Sequence, residues 1–129
     1  MAMSQAIGEA QTAGGSGGDE TVYELREYHL NEGKQELILA RFRGKEREIF
    51  ARYGMEGVGF WVPTDEPLKG KTLFYILRHP NREAATANWA AFHDDPEWKR
   101  VSAASEANGK LVEKSESTFL RLTDFSPKV

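Results

Sequence analysis

The sequence predicts an α+β fold in which a four-stranded antiparallel sheet carries its helices on one face. Apolar residues recur with a strand's two-residue period in four separated stretches and with helical spacing in two longer ones. The resulting order is strand, helix, strand, strand, helix, strand. Two strand–helix–strand units side by side form the ferredoxin-like split unit, because short connections and right-handed crossovers leave few other ways to arrange them.

The first strand is Thr21 to Leu30, with Tyr23 and Leu25 on one face and Val22 and Tyr28 on the other, stopped by Asn31-Glu32-Gly33. From Lys34 to Tyr53 the spacing of Ile38, Phe42, Ile49 and Tyr53, widened by Leu37 and Phe50, predicts an amphipathic helix with Gly54 as its stop. Gly57-Val58-Gly59-Phe60-Trp61-Val62 reads as the second strand, closed by the turn-forming Pro63-Thr64-Asp65-Glu66-Pro67. Regular alternation puts Gly57, Gly59 and Trp61 on one face, so that Trp61 stands beside two positions without side chains. A helix, a second subunit or a ligand would pack closely there.

Thr72 to Arg78 is apolar on both faces and is therefore expected to be a central strand covered on both sides. Asn81 is the N-cap of a helix presenting Ala85, Trp89 and Phe92 on one face. Asp95 caps a further short helix with Pro96 at its first position, running to about Ala107, and Ser115 to Leu122 is the fourth strand. With both helices on one face, half of the sheet's apolar residues would lie bare on the other. A homodimer made by packing sheet on sheet is the predicted remedy.

The whole-chain numbers narrow the function classes. At 129 residues one domain is expected, and the chain carries 17 basic against 20 acidic residues. Three of the acids, Glu9, Asp19 and Glu20, fall in the first twenty residues, which hold a Gly14-Gly15-Ser16-Gly17-Gly18 run and no Lys or Arg. That stretch, residues 1–20, has the composition of a disordered tail, and the folded domain is expected over 21–125. The remainder is formally neutral and lacks a basic stripe, which argues against nucleic-acid binding. With no cysteine there is no disulfide, thiolate metal site or Cys nucleophile. No signal-peptide pattern or apolar run of membrane-spanning length occurs, so a cytoplasmic protein without membrane insertion is expected.

Three separated motifs carry a family resemblance. Tyr23-Glu24-Leu25-Arg26 with Tyr28 and Gly33-Lys34, then Val58-Gly59-Phe60-Trp61, then Asp95-Pro96-Glu97-Trp98 together resemble the NIPSNAP family, from about Tyr23 to Leu122. The resemblance implies a dimeric α+β barrel, two ferredoxin-like subunits packed sheet to sheet. The wider superfamily is similar to antibiotic-biosynthesis monooxygenases, muconolactone isomerases and EthD-like proteins, which bind small, often aromatic molecules in a cavity of each subunit. The family has no agreed catalytic residues, so neither Glu27 nor His29 inherits a role. Its eukaryotic members are associated with mitochondria and vesicle traffic, for which this chain shows no targeting segment.

The candidate ligand-binding residues follow from residue chemistry and the expected topology. Trp61 offers a broad apolar wall with one N–H donor, and Tyr28 and Tyr75 offer phenols. His29 and His93 fall at the same end of the expected fold, where an imidazole pair could serve as a general base facing a ligand, and ordinary exposed histidines would look the same. Arg26 shares a strand face with Glu24. It either pairs with that acid, or with its neighbours, or points into a cavity and selects a carboxylate or enol. Glu36, Glu46 and Glu48, interleaved with Arg41, Arg43, Lys45, Arg47 and Arg52, read as a solvated helix face. No metal site is expected, and no phosphate-binding loop or dinucleotide fingerprint suggests a cofactor. The reading is thus a protein binding a small aromatic or acidic molecule, with cofactor-independent oxygenation or isomerisation as the chemistry of such a pocket. A non-catalytic dimeric interaction module is the alternative.

Overall fold

The computed structural model describes residues 20–129, and the rest of the N-terminal tail lies outside the described residues. Four strands, β1 (Val22–Leu30), β2 (Glu56–Trp61), β3 (Thr72–His79) and β4 (Val112–Leu120), form one antiparallel sheet in the order β2-β3-β1-β4. This is the predicted split arrangement, with β1 and β3 central. Helix α1 runs continuously through Gln35–Arg41, a π-helical stretch Phe42–Glu46, and Arg47–Arg52. Helices α2 (Arg82–Asp94) and α3 (Pro96–Ser105) follow β3. Among the described residues no helix is long and apolar enough to cross a membrane.

Local chemistry sets the boundaries. The Asn81 side chain accepts from the Ala84 N–H at 2.7 Å and starts α2. Asp95 ends that helix in extended conformation and caps the next, accepting from the Trp98 N–H at 2.8 Å with Pro96 at the first helical position. Gly54 stops α1 at φ +77°, a conformation that costs a residue with Cβ. β4 begins at Val112, three residues before the predicted start, because β1 supplies partners down to the Leu30–Val112 pair.

The face assignment, open in the sequence, is settled by packing. Glu24, Arg26, Tyr28 and Leu30 of β1 lie on the helix side with Leu73, Tyr75, Leu77 and His79 of β3. Phe42 of α1 contacts Tyr28 and Tyr75 at ring-centroid distances of 6.2 and 5.3 Å, and Phe50 reaches Tyr75 at 6.0 Å. Ile38, Ile49, Phe50, Met55, Phe92 and Leu111 complete this core. Burial of each large apolar side chain contributes about 1.5–3 kcal/mol, which makes the helix side the main source of stability.

The opposite face carries Leu25, Phe74, Ile76, Trp61 and Leu120, with Trp61 51% exposed. Regular alternation in β2 is broken by a bulge between Gly57 and Gly59, so Gly57 pairs with Leu77 and Gly59 with Ile76. The expectation that both glycines flank Trp61 is therefore corrected. Gly59 lies under Trp61, where an added Cβ would sit 2.5 Å from the indole, whereas Gly57 lies beside Phe60.

Candidate functional site

Between the sheet and the helices lies a group of buried polar side chains enclosed by aromatic rings. Its first half centres on Glu24, 2% exposed. Its carboxylate accepts from His79 Nε2 at 2.8 Å, Trp89 Nε1 at 2.8 Å, Ser117 Oγ at 2.6 Å and Arg26 at 3.3 Å. β1 and β3 supply Glu24 and His79, and α2 supplies Trp89. Burial would raise the Glu24 pKa, but the hydrogen bonds from His79, Ser117 and Trp89 and the Arg26 charge bring it down to about 2. The acid is ionised throughout the physiological range. His79 Nε2 must then carry the hydrogen it donates.

The second half centres on Glu46, 1% exposed and carried by the π-helical stretch. Its Oε1 accepts from Arg41 Nε at 2.7 Å, while its Oε2 is buried without a partner. Burial raises its pKa, against the nearby Arg41 and Arg26 charges, to about 7. Glu46 was expected on a solvated face. The correction has a simple cause: the residue stands four after Phe42 and three before Ile49, inside the apolar stripe of α1.

Arg26 links the halves. Its guanidinium lies 4.5 Å from the Trp89 ring centroid and 5.7 Å from that of Tyr28, and its Nε is buried without a partner. Tyr75 donates to the Tyr28 hydroxyl at 2.8 Å. Burial raises both phenols' pKa values, and the Glu46 charge pushes them further in the same direction, which places the carboxylate within electrostatic reach of both. A pocket of 150 Å³ lined by Arg47, Phe50, Gly57 and Phe60 lies between α1 and β2. Phe50 and Phe60 both stack on Tyr75, at 6.0 and 5.4 Å, so one ring separates this pocket from the phenol pair. Larger hollows of 370 and 560 Å³ lie at the two ends of the sheet, beside Asn81 and Arg121 and beside His29 and Gly70, and no residue of the buried polar cluster lines them.

The sequence-predicted residues divide between two faces. Arg26, Tyr28 and Tyr75 come together in this cluster. Arg26 also pairs with Glu24 beneath the helices, and so away from the face where a dimer contact was expected. Trp61 lies on the open face, apart from the cluster. His29 is there too, bonding Glu116 at 2.8 Å, while His93 is exposed on α2 and stacks on Trp89 at 5.5 Å. The sheet therefore separates His29 from His93, and they form no shared pocket. Glu27, His29 and Glu116 bring ligand-type atoms within 4.8 Å of one another as an ion-paired group on the open face. His79 and Glu46 were missed as site residues. The signal for His79 was its parity with Leu73, Tyr75 and Leu77, one residue beyond the predicted end of the strand.

An antiparallel four-stranded sheet in the order β2-β3-β1-β4 with its helices packed on one face defines an α+β protein of ferredoxin-like architecture. The NIPSNAP family model matches residues 23–127, and the chain belongs to the NIPSNAP family. No match was found among curated protein sequences. A NIPSNAP family protein from Agrobacterium tumefaciens is 23% identical, with TM-score 0.72 over 84% of this chain and 98% of that one. An uncharacterized NIPSNAP domain protein from Burkholderia xenovorans is 20% identical, with TM-score 0.69 over 83% and 99%. SnoaB, a cofactor-independent oxygenase from Streptomyces nogalater, is 16% identical, with TM-score 0.55 over 84% and 99%. These likenesses establish a shared fold.

Proposed function

We propose that this NIPSNAP protein binds a small aromatic molecule bearing an acidic group, in a site formed by Arg26, Tyr28, Tyr75 and Trp89 of one subunit. The observation that carries the reading is the Arg26 guanidinium, held among aromatic rings with a buried donor to spare. A planar cation with a free N–H recognises a carboxylate or enolate, and the rings around it suit an apolar body. Entry is past Phe60, whose ring lines the 150 Å³ pocket and stacks on Tyr75. SnoaB is a cofactor-independent oxygenase on the same fold, and cofactor-independent oxygenation or isomerisation of an activated carbanion is the chemistry this site supports.

A second copy covers the open face in this proposal, burying Leu25, Phe74, Ile76, Trp61 and Leu120. The basic surface that an interaction module would need on α1 is largely neutralised internally. Arg41 pairs with Glu46, Lys45 with Glu48, and Arg52 with Asp95 and Glu97. The pocket reading is preferred for that reason.

Native mass spectrometry with phenylpyruvate as probe tests both parts. The expected spectrum is a dimer binding one probe per subunit, with affinity falling about tenfold or more in Arg26→Met while the dimer persists. A monomer at micromolar concentration would remove the second copy. Equal binding by Arg26→Met would remove the site.

A further inference from the structure

We infer that Glu46 is the proton acceptor of this site, taking a proton from the carbon beside a carbonyl in an aromatic 2-oxo acid or a similar enolisable acid. The inference rests on the binding site proposed above and names its reaction: isomerisation by proton transfer.

A buried carboxylate held for structure alone has both oxygens satisfied by donors. Here Arg41 contacts only Oε1, through Nε at 2.7 Å, while its NH1 donates to Ser105 Oγ at 3.1 Å and its guanidinium lies 4.9 Å from the Trp98 ring centroid. Arg41 is therefore committed to α3 and leaves Glu46 Oε2 without a donor, although the residue is 1% exposed. Leaving a buried carboxylate oxygen bare is costly, so a position that keeps it calls for an explanation beyond packing. The residue also stands on a π-helical stretch, a local widening of the helix that occurs often at functional sites. Phe42, one turn before Glu46 on α1, packs on Tyr28 and Tyr75 at 6.2 and 5.3 Å, the Arg26 charge lowers the proton affinity of Glu46, and the Glu46 charge raises that of both phenols. A carboxylate oxygen without a donor, a fixed cation and two phenols thus belong to one buried cluster among aromatic rings.

The step balances without a further reactant. Glu46 Oε2 takes the proton from the C–H bond, and that bond's electron pair becomes the C=C bond of an enolate. The negative charge moves to the carbonyl oxygen, where Arg26 and the phenol hydroxyls stabilise it. The protonated Glu46 then returns its proton, to the carbon or to the oxygen, and the product is a tautomer of the substrate. A carboxyl group that titrates at about 7 can both accept and return a proton near neutrality.

The test uses the full chain and phenylpyruvate, following deuterium exchange at its C3 by proton NMR and binding by calorimetry. Wild-type protein is expected to accelerate exchange, with a rate that rises as pH passes through about 7. Glu46→Gln is expected to bind the probe within about threefold of wild type and to lose on the order of a hundredfold in exchange. Glu46→Asp keeps a carboxylate but draws it back by one methylene, and should bind normally and exchange slowly, which covers the case of an unfolded Gln variant. Binding without accelerated exchange by wild type, or full exchange by Glu46→Gln, overturns the inference and leaves the binding site standing. Failure of wild type to bind the probe overturns both.

Discussion

Glu24, on β1, and Glu46, on α1, are both almost wholly buried on the helix side of the sheet, and their surroundings drive them in opposite directions. Glu24 meets four donors from three strands and a helix, and is held ionised with its pKa near 2. Glu46 meets one donor, keeps a bare oxygen and is raised to about 7. Burial is the largest influence on both. What differs is how many hydrogen bonds answer it, so donor count rather than depth decides which acid is a structural anion and which can exchange a proton.

The largest expected effect comes from removing the well-served acid. Glu24→Ala leaves His79, Trp89, Ser117 and Arg26 without their acceptor and should cost about 3 to 5 kcal/mol in chemical denaturation, more than any other single change in the cluster. Next is the pH dependence, where the two acids have opposite signs. The native pKa of Glu24 lies below the ordinary 4.5, so its contribution is present above pH 4.5 and is lost as pH falls toward 2. That of Glu46 lies above 4.5, so the native state favours its protonated form, and stability present below pH 4.5 is lost as pH rises through 7. Each limb is worth about 3 kcal/mol, giving a stability maximum near pH 4.5 to 5. Glu46→Gln should flatten the upper limb alone in urea titrations across pH, and an unchanged upper limb would break the contrast. The smallest effect sharpens it. Ser117→Ala takes one donor from Glu24 and should cost about 1 kcal/mol while moving the acid limb to higher pH.

Much of the frame was legible because its signals are local. The caps at Asn81 and Asp95, the stop at Gly54 and the doubly apolar β3 each follow from one or two side chains acting on nearby backbone. Together they fixed the element order, and the order fixed the sheet. The site was less legible because it depends on which face each strand turns to the helices. β1 carries aromatic residues on both parities, Tyr23 against Tyr28, so alternation alone could not choose. Arg26, Tyr28 and Tyr75 were named for their chemistry, and only the packing of Phe42 and Phe50 shows that they share a face. His29 and His93 were matched by the end of the fold they occupy, but strand parity separates them. The β2 bulge shifted Gly57 by one position, which no periodicity reveals. Glu46 was hidden by the charged residues around it, although its spacing from Phe42 and Ile49 marked it as inward-facing.

The sheet divides the three tryptophans, with Trp61 on the open face and Trp89 and Trp98 on the helix side, and so separates their light emission. Trp61, half exposed, emits from water and is open to an aqueous quencher until something covers the open face. The Trp89 indole donates to a buried carboxylate, so its emission follows the charge of Glu24 and the order of the inner cluster. In a Trp98→Phe chain, assembly and interior chemistry can therefore be watched separately without a label, by the loss of quenching for one and the shift in colour for the other.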